Sequence, residues 1–226
     1  MTDADRLAAG DAARLAEWHR YYGEKRIGQQ WFQLRLLAGL PVNRVLEVGP
    51  YLGFVTALLD NAGYAVTTLD LSPRRFARPA VPHIQADLTR VRPEELAGFD
   101  LILCCEALEH LPWESAGAVL RTFRQCGARF LVSSVPYEGL QLHFLLDVNL
   151  HRVRQRFAFR KGRSLRSFSG SKEPMGHQWE IGYRGTSLAA WERQLTGADW
   201  RIRKRGFTAP TRSVFHLLES GACRTA

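Results

Sequence analysis

A glycine-bearing turn between an apolar run and an apolar helix start is the feature that most constrains this chain. The segment reads Val45-Leu46-Glu47-Val48-Gly49-Pro50-Tyr51-Leu52-Gly53-Phe54. Glycines at positions 49 and 53 let the backbone approach a ligand closely, and a helix that begins here offers free N–H groups. Asp70 ends another apolar run about 20 residues later, where an open α/β sheet places a ribose-binding carboxylate. The pattern therefore predicts a strand, a loop and a helix that hold a nucleotide-like cofactor.

Apolar runs alternate with helical periodicities along most of the chain. Helical spacing predicts two helices within residues 1–41, one after the glycine turn, and others near 115–125 and 187–195. Strands are expected at 44–48, 65–69, 83–86, 99–105, 130–135, 200–208 and 213–218. The connection between the last two strands is so short that they should be antiparallel neighbours.

This order predicts one α/β domain over residues 1–226, with a mostly parallel sheet and helices on both faces. Right-handed crossovers place the carboxyl ends of parallel strands along one edge, where ligands bind. Gly49, Asp70, Asp87 and Glu106 each follow the end of a predicted strand. We therefore expect these four positions to converge on one crevice.

The regular alternation stops after residue 136, and residues 137–180 are predicted to form an insert that recognises the substrate. Residues 140–150 (LQLHFLLDVNL) are apolar enough to pack as a helix. Between Val148 and Lys172 the chain has eight Lys or Arg and no acidic residue, within a formal net charge of +9. Such a block attracts phosphate, carboxylate or nucleic acid. A solvated basic segment explains it equally well, although three phenylalanines are interleaved with the charges.

The composition also bears on compartment and metal content. The N-terminal residues carry charges where a signal peptide needs an apolar stretch, and no apolar run is long enough to cross a bilayer. We therefore expect a cytoplasmic protein with no membrane partner. The four cysteines lack zinc-ligand spacing and are expected to be buried thiols. No His/Asp/Glu cluster has metal-ligand spacing, so the sequence predicts no metal.

Four segments between about residues 42 and 136 together resemble the motifs of class I S-adenosylmethionine-dependent methyltransferases. The similar segments are 47–53 for the glycine loop, then 69–72, 85–88 and 99–111. This resemblance implies a Rossmann-like methyltransferase sheet with an antiparallel last strand. Tyr51 departs from the family, which has its middle glycine there. The loop also lacks the G-x-G-x-x-G pattern that a nicotinamide dehydrogenase requires.

The resemblance implies a cofactor role for residues at each strand end. Residues around the glycine loop would shape the pocket for the methionine part of S-adenosylmethionine, Asp70 would accept hydrogen bonds from the ribose, and Glu106 would flank the reacting end. Leu71, Asp87 and Leu88 would contact the adenine, although Asp87 also suits the opening of a turn. The implied cofactor-binding set is Glu47, Gly49, Pro50, Tyr51, Gly53, Asp70, Leu71, Asp87, Leu88 and Glu106.

The acceptor side is predicted from the cluster Met175-Gly176-His177-Gln178-Trp179-Glu180. Removing a proton from an oxygen or nitrogen acceptor needs a base, and imidazole titrates near working pH. His177 is therefore the candidate catalytic base, with His110, Trp179 and Glu180 as candidate substrate-binding residues. The alternative, that His177 and Trp179 only fix the insert to the core, is equally consistent with the sequence.

The predicted activity is methyl transfer from S-adenosylmethionine to a small-molecule acceptor, with S-adenosylhomocysteine as product. A hydroxyl oxygen of a secondary metabolite or sugar-containing compound is the expected target, and the basic block favours an anionic one. Two alternatives remain open. One is an RNA or protein methyltransferase that uses the basic insert, and the other is a non-catalytic subunit that binds the cofactor.

Overall fold

The structure is a computed structural model of the chain. It describes residues 3–76, 80–138, 140–148, 153–161, 167–171, 176–208 and 212–221.

A seven-stranded sheet forms the centre of the molecule. Its strands are β1 (Arg44–Val48), β2 (Ala65–Asp70), β3 (His83–Gln85), β4 (Leu101–Cys105), β5 (Phe130–Pro136), β8 (Trp200–Phe207) and β9 (Ser213–Ser220). Their spatial order is β3-β2-β1-β4-β5-β9-β8. The first five strands pair in parallel, and β9 is antiparallel to both of its neighbours. The predicted α/β sheet with an antiparallel last strand is confirmed.

Within the described part of the chain, five α-helices surround this sheet: α1 (Asp3–Tyr21), α2 (Glu24–Leu37), α3 (Phe54–Asn61), α4 (Trp113–Gln125) and α5 (Leu188–Gly197). Short 3-10 helices lie at Pro93–Leu96 and Leu108–His110. Ser187 begins α5 by accepting a hydrogen bond from the Ala190 N–H at 3.1 Å, as expected of a serine N-cap. No helix among the described residues is long and apolar enough to cross a membrane.

Apolar side chains pack on both faces of the sheet. One cluster joins α4 and α5 to the sheet and contains the fully buried Phe123, Trp191 and Leu120. The other joins α2 and α3 to the opposite face and contains Leu37 and Leu59. All seven residues of β5 are buried, as expected of a central strand covered on both sides.

The segment after β5 corrects one sequence prediction. Residues 140–150 were expected to form a helix, but Leu140–Val148 is a strand, β6, which pairs antiparallel with β7 (Val153–Lys161) in a separate two-stranded sheet. Its apolar residues at 140, 142, 144, 146 and 148 recur at every second position, which is the period of a strand and not of a helix. Pairing with β7 stabilises this strand, because it places Phe144 opposite Phe157 and Leu142 opposite Phe159.

One face of this hairpin carries large apolar side chains that remain exposed. Their exposed fractions lie between 44% and 67% for Leu142, Phe144, Leu146, Phe157 and Phe159. Four positions of the basic block lie on β7, and the other four lie outside the described residues. The hairpin, which follows β5 in the chain, therefore presents an exposed apolar face.

Candidate functional site

The register of the sheet brings the predicted cofactor positions to one edge. Val48, the last residue of β1, pairs with Leu69 of β2 on one side and with Cys104 of β4 on the other. Asp70 in turn pairs with Gln85 at the end of β3. The residues that follow these strands, including Gly49, Asp87 and Glu106, therefore emerge side by side, as predicted.

The glycine turn has a backbone that needs its two glycines. Gly49 and Gly53 have φ values of 71° and 75°, in the left-handed region. A Cβ atom on Gly53 would lie 2.5 Å from the Phe76 ring, and one on Gly49 would lie 3.4 Å from the Ala107 Cβ. The Gly53 N–H donates to the Pro50 carbonyl at 2.9 Å, which closes the turn just before α3. The turn is therefore tightly fitted to its neighbours.

Tyr51 has a φ of 49°, in the left-handed region that residues other than glycine rarely adopt. Its hydroxyl donates to the Glu17 carboxylate at 2.8 Å, and its ring lies 4.4 Å from the Tyr21 ring. Arg75 donates to the same carboxylate at 2.8 Å and lies over the Tyr51 ring. The side chain thus points to α1 and ties the N-terminal helix to the turn. Nothing in the motif itself indicated this contact.

Glu47 lies beneath the turn and is buried, with 5% exposure. Its carboxylate accepts a 2.6 Å hydrogen bond from the Thr56 hydroxyl of α3. Burial raises the pKa of Glu47 to about 7, despite the opposing effect of the Thr56 hydrogen bonds. A positive ligand group near this carboxylate would favour its ionised form.

Asp70 and Leu71 lie where β2 ends. The Asp70 carboxylate is partly exposed and accepts a 2.8 Å hydrogen bond from the Ser72 N–H, which leaves its other oxygen for a ligand. The Leu71 side chain is 53% exposed. The Gln85 side chain donates to the Leu71 carbonyl at 3.2 Å and joins the ends of β2 and β3.

Asp87 opens a turn, which is the alternative to an adenine contact that the sequence allowed for this residue. Its carboxylate accepts hydrogen bonds from the Thr89 N–H at 2.9 Å and the Thr89 hydroxyl at 2.7 Å. These two bonds hold the pKa of Asp87 below its usual range. Leu88 beside it packs partly against the core. One carboxylate oxygen thus serves the turn, and the other lies 3.4 Å from the exposed Arg90 Nε.

Glu106 directly follows β4 in a left-handed conformation, with φ of 55°. Such a φ is uncommon for a residue other than glycine, and it turns the side chain back over the strand ends. The Ser134 hydroxyl donates to its carboxylate at 2.9 Å. Burial raises the pKa of Glu106 in spite of this bond.

A second group forms one turn later, where the 3-10 helix meets the segment 176–183. The His177 Nδ1 lies 2.8 Å from a Glu180 oxygen, and its Nε2 lies 4.0 Å from a Glu109 oxygen. The His110 and His177 rings meet edge to face with centroids 5.0 Å apart. Glu109 is fully buried, and burial together with the Glu106 charge raises the pKa of Glu109 well above its usual range. Three of the four predicted acceptor-side residues, His110, His177 and Glu180, are therefore brought together.

Trp179 is the fourth predicted acceptor-side residue, and the structure places it in the core instead. It is 3% exposed, its indole N–H donates to the Leu111 carbonyl at 2.9 Å, and its ring packs edge to face on Trp113. The Gln178 N–H also donates to the Glu109 carbonyl at 2.7 Å. These contacts fix the position of His177, and an indole so buried has little surface to offer an acceptor.

Glu109 is the residue that sequence reasoning undervalued. It stands beside His110 in the motif segment, where an acid at a helix start is ordinary. Its neighbour in space, His177, is far away in sequence, so no spacing rule connects the two. The signal available in the sequence was an acidic residue next to a histidine. Only the fold shows that this acidic residue is buried.

Comparisons with known proteins agree with this geometry. The family profile described as a methyltransferase domain matches residues 15–169. Among solved structures, the chain is similar to Burkholderia thailandensis 1,6-didemethyltoxoflavin-N1-methyltransferase, bound to S-adenosylhomocysteine, at 14% identity and a TM-score of 0.58. That match covers 97% of this chain and 91% of the other.

The magnesium protoporphyrin IX methyltransferase of Synechocystis PCC 6803, with bound S-adenosylmethionine, is also similar. Its identity is 17%, its TM-score is 0.58, and the match covers 92% of this chain and 91% of that one. An S-adenosylmethionine-dependent methyltransferase from Clostridium acetobutylicum matches at 9% identity with a TM-score of 0.57, over 96% and 100% of the two chains. No curated protein sequence matches the chain.

Proposed function

The chain belongs to the methyltransferase domain family and has its class I fold, and on that premise we propose that it transfers a methyl group from S-adenosylmethionine to a hydroxyl oxygen of a small molecule. The observation that carries this proposal is the position of the His177–Glu180 pair. It lies against Glu109 and His110 of the segment that follows β4, and Ala107 of the same segment faces Gly49 of the glycine turn.

The strand edge offers suitable partners for each part of the cofactor. The free oxygen of Asp70 suits the ribose hydroxyls, and the exposed Leu71 suits one face of the adenine. Asp87 and Leu88 stand at the end of β3, where the family pattern has the adenine amino group. Around the turn, Gly49, Pro50, Tyr51 and Gly53 supply backbone to the methionine part, with Glu47 below and Glu106 opposite. S-adenosylhomocysteine is then the product.

Methyl transfer from a sulfonium needs an in-line approach and little chemistry from the protein. An acceptor oxygen lone pair forms the new bond to carbon, the carbon–sulfur bond breaks, and its electron pair stays on sulfur. The protein holds the two partners in line and excludes water. A hydroxyl must also lose its proton, which general base catalysis accelerates by roughly 10²–10⁴-fold.

His177 is placed to accept that proton. Its Nδ1 lies 2.8 Å from Glu180, so the carboxylate holds the N–H on this nitrogen and leaves the Nε2 lone pair available. Glu180 also stabilises the imidazolium that forms when Nε2 takes the proton. His110, edge to face with His177, borders the same space.

The acceptor class follows from the insert and from similar proteins. The hairpin presents apolar side chains, and its sequence carries much of the basic block, so an acceptor with an apolar body and an anionic group suits it. The solved structures that resemble this chain include enzymes named for toxoflavin and porphyrin substrates, and one crystallised in the presence of D-fucose. A secondary metabolite or a sugar-containing compound is therefore the proposed acceptor.

The net charge of +9 favours a second candidate, an RNA methyltransferase. Binding by several phosphate contacts would fall steeply with salt, with a log–log slope of about −0.7 per phosphate neutralised on single strands.

We place the protein in the cytoplasm, where the described thiols Cys104, Cys105 and Cys126 stay reduced.

Formation of S-adenosylhomocysteine from S-adenosylmethionine, assayed with a panel of hydroxylated sugars and aromatic glycosides as acceptors, tests the proposal, alongside calorimetry with S-adenosylmethionine. We expect His177→Ala to lower turnover about 10²-fold or more, with cofactor affinity unchanged. Glu24→Ala, at an exposed acid on α2, is the control. Turnover that survives His177→Ala removes the base assignment. Cofactor binding without turnover on any acceptor, RNA included, supports a non-catalytic partner subunit instead.

A further inference from the structure

We propose that Glu109, His110 and His177 form a binding site for one divalent transition metal ion of the zinc class. The donor atoms of the three side chains all lie within 4.8 Å of one another. The sequence predicted no metal, because His177 is distant in sequence from the other two residues. Metal binding at this site does not depend on the proposed function. Only a catalytic role for the metal rests on that function.

The separations suit a shared ion better than direct hydrogen bonds. The His177 Nε2 and the Glu109 oxygen are 4.0 Å apart, too far for a hydrogen bond. Two ligands that each lie ~2.1 Å from one ion are at most ~4.2 Å apart. All three donor atoms lie within 4.8 Å of one another, so small changes in side-chain torsions bring them within this limit.

Glu109 supplies a second, independent observation. It has no exposed surface, and neither carboxylate oxygen accepts a hydrogen bond from another described residue. Buried carboxylates are normally paired with a cation or satisfied by hydrogen bonds, because burial of an unpartnered polar group is costly. A metal ion in contact with this carboxylate provides the missing partner.

The histidine is oriented as a metal ligand would be. Imidazoles that ligate metals with one nitrogen usually donate the other N–H to a carboxylate, which fixes the tautomer and the ring. The Glu180 oxygen 2.8 Å from Nδ1 fills that role, and Nε2 then faces Glu109. The Gln178 N–H bond to the Glu109 carbonyl and the buried Trp179 hold the segment in place.

Two imidazoles and one carboxylate favour zinc or a similar ion over magnesium or calcium, which prefer oxygen ligands. Three protein ligands leave an open position for an exogenous oxygen. A hydroxyl bound there loses its proton to water more easily, after which its lone pair takes the methyl carbon and the departing sulfur keeps its bonding electrons. When the metal ion is bound, His177 is a ligand of the ion and does not act as the base.

Cobalt(II) is a suitable probe because its visible absorption reports nitrogen and oxygen ligation. The full-length chain, stripped with EDTA and free of cofactor, is titrated with Co²⁺ and then with competing Zn²⁺. We expect one ion per chain. His177→Ala and Glu109→Gln should each weaken binding by at least about 10-fold, and Glu180→Gln should weaken it less. His19→Ala removes an exposed histidine on α1 and should change nothing.

The result that overturns the proposal is a folded wild-type chain that binds no Co²⁺, or binding that is unaltered in both His177→Ala and Glu109→Gln. Circular dichroism of each variant confirms that it is folded. Because no acceptor is needed, this outcome is separate from failure of the methyltransferase assay. If the metal binds and turnover is the same with EDTA as with Zn²⁺, the site stands and its catalytic role is overturned.

Discussion

The glycine turn and the β6–β7 hairpin differ in how much of the rest of the molecule holds them in place. The turn is fitted against Phe76, Ala107 and α3, and its Tyr51 is tied to α1. The hairpin strands pair only with one another among the described residues, and large apolar side chains on one face are exposed. We propose that this difference reflects a division of labour, in which the core holds the methyl donor and the hairpin selects the acceptor.

Of the changes that test this comparison, deletion of the hairpin should have the largest effect on turnover. We expect a chain in which a short Gly-Ser linker replaces residues 140–161 to fold and to bind S-adenosylmethionine within about threefold of wild type. Few core contacts are lost, and a flexible surface loop costs little entropy. Turnover should be abolished, because the acceptor loses its recognition surface. Loss of cofactor affinity, measured by calorimetry, would show that the two regions are not separable.

The next largest effect concerns stability beneath the turn. Burial raises the pKa of Glu47 to about 7, above its usual value of 4.5, so the folded state holds its proton more tightly than the unfolded state. This contribution to stability is complete below about pH 4.5 and is lost as the pH rises to about 7. A shift of this size corresponds to on the order of 3 kcal/mol.

Glu47→Gln keeps the Thr56 hydrogen bond and cannot titrate. We therefore expect its free energy of unfolding, from urea denaturation, to fall less between pH 5 and 7.5 than that of wild type. Glu94→Gln, at an exposed acid in the short 3-10 helix, serves as the control. Parallel pH profiles for wild type and Glu47→Gln would contradict the buried, titrating carboxylate.

A smaller effect is expected at Asp70, which we propose to contact the ribose of the methyl donor. Asp70→Ala should weaken S-adenosylmethionine binding by roughly 10–100-fold, because a hydrogen bond to a charged group contributes about 1.5–3 kcal/mol. Asp60→Ala, at an exposed carboxylate on α3, should leave the affinity unchanged. Equal affinities for wild type and Asp70→Ala would remove the ribose assignment.

The difference between the core and the hairpin also explains which features could be predicted from the sequence. The strands that carry Val48, Leu69 and Cys104 are apolar runs bounded by turns, so local pattern was enough to place Gly49 and Asp70 at one edge. Residues 140–150 were predicted to form a helix, although their apolar residues alternate as in a strand, and the pairing with β7 decides the outcome. The cluster around Glu109 depends on a contact distant in sequence.

The smallest expected effect compares two phenylalanines that differ mainly in burial. Phe144 on β6 is 58% exposed, whereas Phe123 on α4 is fully buried. Phe144→Thr should change the free energy of unfolding by less than about 1 kcal/mol, since threonine suits a strand and only a cross-strand contact with Phe157 is lost. Phe123→Ala should cost about 3–5 kcal/mol through the cavity that it leaves. A cost at Phe144 as large as that at Phe123, measured by urea denaturation, would mean that the apolar face of the hairpin is covered in solution, and the hairpin would then belong to the core.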